Sequence, residues 1–156
     1  MDELSLQERF APQGACFGCG PANEKGLRIR SFPSGEGDEL VAAWTPEAHH
    51  EAFPGVLNGG IIGALLDCHS NWAAMWHFMR RDGLESAPCT VTADFSVKLL
   101  RPTPSDAELK IVARAVESEG RRVVVESEIV SGGQTCATCR GTFVAVKPDH
   151  PAYHRW

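Results

Sequence analysis

No run of this sequence is apolar for long enough to cross a bilayer, and none is basic enough to track a phosphate backbone. The chain opens Met1-Asp2-Glu3, without the basic region and apolar stretch of a secretory leader. A cytoplasmic, reducing setting is therefore expected, and the six cysteines read as thiols rather than a disulfide framework. Internal repeats are absent too. The net charge of −5 argues against a nucleic-acid partner. Lys98, Arg101, Arg121 and Arg122 are local exceptions suited to an anionic ligand. What is present is an ordinary globular balance, 43% hydrophobic and 22% charged over 156 residues, enough for one domain (1–156) with a real core.

Pattern along the chain gives the fold class. Residues 1–15 read as a polar lead-in, partly helical at best. Leu27 to Phe32 alternates apolar and polar, which predicts a strand. A turn cluster from Pro33 to Asp38 then returns the chain into a second strand, Glu39 to Thr45. Pro46 to Leu57 reads as a loop. From Ile61 to Met79 apolar residues recur at spacings of three and four, which predicts one long helix that is apolar nearly all round. Arg80, Arg81 and Gly83 end it, with cations at the negative helix end and a glycine stop. Four strands follow, Thr90–Leu100, Glu108–Glu117, Arg122–Val130 and Thr135–Lys147. Their short connections make neighbours antiparallel. Residues 148–156 read as a peripheral tail. The class is α+β, an antiparallel sheet wrapped around one central helix.

One segment assembles reactive parts, Phe53-Pro54-Gly55-Val56-Leu57-Asn58-Gly59-Gly60 followed by Ile61 to Asp67. A Pro-Gly turn leads to a glycine pair that opens the helix, and a carboxylate follows about two turns in. Amide N–H groups at a helix start can hold a developing negative charge. A carboxylate on an apolar helix beside them can act as base or nucleophile. Asn58 suits an N-cap. His49 and His50 sit in the preceding loop, while Trp72, Met75, Trp76 and Phe78 read as core and subunit contact.

With Cys16-Phe17-Gly18-Cys19-Gly20 and Val91 to Pro102, this segment resembles the hotdog-fold thioesterases, in particular the PaaI-type acyl-CoA thioesterase group. The resemblance spans roughly Cys16 to Lys147. It implies a hotdog fold and hydrolysis of an acyl-CoA thioester, with coenzyme A present only as part of the substrate and no other cofactor. It further implies that Asp67 is the catalytic carboxylate, that the Gly59 N–H polarises the carbonyl, and that Gly60 allows close backbone approach. Thr92 matches a hydroxyl near the attacking water. The group places its active site at a dimer interface, so Asp67 and Thr92 are expected to meet from different subunits of a dimer or a dimer of dimers. Asn58 stands where the group usually has histidine, and it cannot titrate near neutral pH. Ala52 stands where some relatives carry Asn or Gln. Any second carbonyl donor then comes from elsewhere, Asn58 included. His50, Arg101 and Arg121 are candidates for contacting the substrate and its phosphates.

Two other functions fit the same fold. One is a non-catalytic acyl-CoA or small-acid binding protein, which the residues at 58 and 52 favour. The other is a dehydratase or hydratase, which the missing histidine disfavours. Cys16-x-x-Cys19 and Cys136-x-x-Cys139 have metal-type spacing. The second pair falls in a predicted strand, where residues three apart face opposite ways, so no metal is expected.

Overall fold

The computed structural model describes residues 3–35 and 37–154. Its elements are α1 (Leu6–Phe10), β1 (Phe32–Pro33), β2 (Leu40–Trp44), a 3-10 turn (Ala48–His50), β3 (Glu51–Phe53), β4 (Val56–Leu57), α2 (Gly59–Asp82), β5 (Thr90–Leu99), β6 (Leu109–Glu119), β7 (Arg122–Ser131) and β8 (Gln134–Ala145). Six strands form one sheet in the order β1-β2-β6-β7-β8-β5, antiparallel throughout. The helix α2 packs against β2, β5, β6, β7 and β8, so the sheet wraps it as the pattern predicts. Leu65, Leu66, Trp72, Met75 and Phe78 are buried along it. Its end follows the expected rule: Gly83 adopts the left-handed conformation (φ 64°) and its N–H returns to the Met79 carbonyl.

Two expectations are corrected and one is made more definite. The lead-in is partly helical as expected, and its helix α1 is docked: Ser5 and Glu8 form a reciprocal capping box, and Leu6 and Gln7 are fully buried. Of the strand expected at 27–32, only Phe32 pairs with β2, together with the following Pro33. Leu27, Ile29 and Ser31 are buried in alternation, but Arg28 has φ 52° and breaks the extended backbone. The loop expected at 46–57 contains the 3-10 turn and a small β3–β4 hairpin around Pro54-Gly55. The tail is partly tethered, since the Cys89 Sγ donates to the Ala152 carbonyl and accepts from the His154 N–H. Arg155 and Trp156 lie outside the described residues.

A buried polar chain fixes α1 to α2. Gln7 Nε2 donates to Ser31 Oγ at 2.9 Å, and Ser31 Oγ donates to His69 Nδ1 at 2.8 Å. His69 Nε2–H donates to the Leu40 carbonyl at 3.2 Å, which sets the tautomer. Burial lowers the His69 pKa to about 4, so the ring is neutral. Ser31→Ala removes the middle link and leaves buried groups on both sides unpaired. It should cost about 1–3 kcal/mol, read as a lowered urea midpoint at unchanged slope.

Candidate active site

The start of α2 is set by Asn58. Its backbone is extended (φ −62°, ψ 135°), and its Oδ1 accepts from the Gly60 N–H at 2.8 Å and the Ile61 N–H at 3.1 Å. The Gly59 N–H makes no hydrogen bond among the described residues. It sits exposed at the positive end of a 24-residue helix. The cap also fixes the orientation of the Asn58 amide, leaving its Nδ2 as a free donor next to Gly59. Gly60 is thus tied into the cap.

The helix face that runs from Gly59 meets β5 along its length. A side chain at Gly59 would touch Leu99, and one at Gly63 would touch Phe95. One turn further, Thr92 Oγ1 donates to Asp67 Oδ1 at 2.7 Å. Beyond it, Thr90 Oγ1 donates to Asn71 Oδ1 at 2.6 Å. The register of β5 shifts between Thr92 and Asp94. Such a bulge re-aims the side chains around it. Asp67 and Thr92 therefore meet within one chain, and the expectation that they come from different subunits is corrected.

Burial pushes the Asp67 carboxyl above the usual range, the Thr92 hydrogen bond opposes this, and negative charge on Cys16 adds to the rise. Asp67 Oδ2 has no partner among the described residues. The arrangement is a half-buried carboxylate held at one oxygen and free at the other, suited to take a proton from water.

Other candidates fall in different places. His50 is buried; its Nδ1 accepts from the Glu47 N–H at 2.9 Å and its carbonyl accepts the Asn58 N–H at 3.0 Å. It positions the cap residue. Arg101 lies at the Gly59 end, where its guanidinium donates to the Thr135 carbonyl and Gln134 Oε1. Arg121 donates to the Ala145 carbonyl, ten strand residues away along β8 and about 34 Å distant. The two arginines do not share a site within one chain. A concavity of about 450 Å³ between Lys98, Arg114, Glu126 and Arg140 contains Lys98 but none of the candidate catalytic residues.

Sequence reasoning did not single out Cys68. The Cys16–Gly20 loop folds over it: a side chain at Gly18 would collide with its Sγ. Cys16, Cys19 and Cys68 form one cluster, in which contact with Cys19 and Cys68 holds the Cys16 thiol low while contact with Cys16 raises the other two. Spacing alone does not reveal a third thiol 49 residues after Cys19, on the helix position that follows Asp67.

The family model of the thioesterase superfamily matches residues 54–138. A thioesterase superfamily protein from Shewanella loihica is 31% identical, over 81% of this chain and 98% of its own, with a TM-score of 0.63. The PaaI protein of the Escherichia coli phenylacetic acid degradation operon is 20% identical, over 81% of this chain and 85% of its own (TM-score 0.67). The thioesterase HI1161 of Haemophilus influenzae is 19% identical, over 96% of this chain and 97% of its own (TM-score 0.71). No curated protein matches the chain.

Thr92→Val keeps the strand-forming shape and removes the donor to Asp67. A hydrogen bond to a charged group is worth about 1.5–3 kcal/mol, and a loss of that order is expected in urea denaturation. Asp67→Asn leaves Thr92 an acceptor and should change stability by under about 1 kcal/mol.

Proposed function

The chain belongs to the thioesterase superfamily, and we propose that it hydrolyses an acyl-CoA thioester to the free acid and coenzyme A. One observation carries this reading. Asp67 is half-buried, held by Thr92 at one oxygen and free at the other, on a helix whose first amide is unpartnered. Water at the free oxygen attacks the thioester carbonyl carbon and passes its proton to the carboxylate. The charge that grows on the carbonyl oxygen meets the Gly59 N–H, the Asn58 Nδ2–H and the positive end of α2. The C–S bond then breaks, and the coenzyme A sulfur takes the proton from Asp67 as it leaves.

Gly59 and Asp67 are eight residues apart on one helix, about 12 Å. Both must lie about 3 Å from atoms of the same reacting group. A second copy of the chain therefore supplies one half of each site, in a dimer or a dimer of dimers. The open side of β5, with exposed Phe95 and Leu99, is the edge this assembly covers. Arg101, at the Gly59 end, is the cation for a coenzyme A phosphate. A non-catalytic binding protein is the second reading, because Asn58 Oδ1 is locked in the cap and the residue does not titrate.

Hydrolysis of aryl, short-chain and long-chain acyl-CoA substrates tests the reading. Asp67→Asn should lower kcat by about 10²–10⁴ with substrate still bound. Binding without turnover in the wild type would favour the second reading. Gly59→Pro isolates the amide. Proline suits the first helical position, and the residue before it is already extended, so the variant removes one N–H and little else. A kcat loss of about 10²–10³ is expected. Gly59→Ala, whose new Cβ has ordinary contact with Leu99 at 3.7 Å, should stay active.

A further inference from the structure

We propose that Cys16, Cys19 and Cys68 form a three-thiolate site for a zinc-like cation, stapling the Cys16–Gly20 loop to α2 beside Asp67. The three sulfur atoms lie within 4.8 Å of one another, and Cys16 Sγ to Cys68 Sγ is 3.7 Å. Tetrahedral zinc with Zn–S bonds of about 2.3 Å needs S···S separations of about 3.8 Å. The sulfurs thus already stand near ligand spacing.

The loop is built as a cradle for thiolate sulfur. The Gly18 and Cys19 N–H groups beside Cys16 Sγ, and the Trp72 indole beside Cys19 Sγ, favour the charged form of those sulfurs. Donors aimed at ligand sulfur stabilise its charge and orient it. The Gly20 N–H closes the loop onto the Cys16 carbonyl at 2.8 Å. Neither Gly18 nor Gly20 has room for a Cβ: the first would meet Cys68 Sγ and the second the backbone of Cys16 and Gly14. This C-x-x-C-G turn therefore closes around a third sulfur that α2 supplies. Three adjacent thiolates repel one another, and a bound cation removes that repulsion. Cys16 is exposed, so the fourth tetrahedral position opens toward solvent, where water can take it.

The site differs from the set that spacing alone offers. Cys139 is in the core with Ala137, while Cys136 lies on the other face of β8 beside Arg101, so that pair does not converge. Nor does the inference depend on the proposed hydrolysis, since the cation is bound structurally and takes no part in that reaction.

Metal analysis of the full chain purified under reducing conditions without chelator tests the site. About one zinc per chain is expected, and Co(II) exchange should give the near-ultraviolet sulfur-to-cobalt band and the visible bands of a tetrahedral centre. Cys16→Ser, at an exposed position, and Cys68→Ser should each abolish both, whereas Cys136→Ser should leave them intact. Bound zinc should also shield Cys16, Cys19 and Cys68 from alkylation, as mapped by mass spectrometry, and chelation should restore their reactivity. The proposal is overturned if zinc and cobalt added to the reduced protein leave spectrum and alkylation unchanged. Metal retained equally in Cys16→Ser and wild type would overturn it too. So would a Cys16–Cys68 or Cys16–Cys19 disulfide that persists under the reducing conditions.

Discussion

The central constraint on this molecule is that α2 is enclosed by a sheet and still carries polar side chains. A polar group without a partner in such a place costs the folded state its full desolvation penalty. Most polar residues in the first half of the helix therefore reach a partner in the surrounding shell, whereas Trp76 Nε1 and His77 Nε2 further along are buried without one. His69 takes Ser31 and the Leu40 carbonyl, Ser70 donates to Ser127 at 2.7 Å, Asn71 takes Thr90, and Asp67 takes Thr92. These contacts fix the helix in rotation and in register against α1, β2, β7 and β5. Asp67 is the member of this set that titrates as an acid and retains a free oxygen.

The helix and most of the sheet were legible because their signals are local. Apolar spacing located α2, Gly-Gly and Ser-Glu-Gly turns separated the later strands, and an Asn-Gly-Gly start located the cap. The N-terminal helix carries a local signal too, the Ser5-x-x-Glu8 capping-box spacing, but the polar pattern of the segment reads only as a lead-in. Alternation from Leu27 to Ser31 misled for a physical reason. It records which side chains point inward, and a chain can alternate in burial without a neighbouring strand to bond to.

Contacts that depend on topology were out of reach. Whether Thr92 meets Asp67 of its own chain depends on how β5 lies along α2 and on the bulge after Thr92. Arg101 and Arg121 looked equivalent as isolated cations, yet they stand at opposite ends of β8. In the sequence Cys68 is an ordinary helix residue, and only the folding of the Cys16–Gly20 loop onto it makes it part of a cluster.

These topological contacts place Asp67 between two unlike neighbours. On one side, β5 contributes Thr92 and an edge strand with exposed apolar residues. On the other, the thiol loop covers Cys68 and brings the charge of Cys16 within range of the carboxylate. The loop reaches that position because its chain is anchored at both ends. Upstream, α1 is locked into the core through Gln7 and Ser31; downstream, Leu27 and Ile29 are buried and bond back to Phe17 and Gly18. The N-terminal segment is therefore part of the setting of Asp67. A change there acts on the carboxylate through the position of Cys16, without altering any residue of α2.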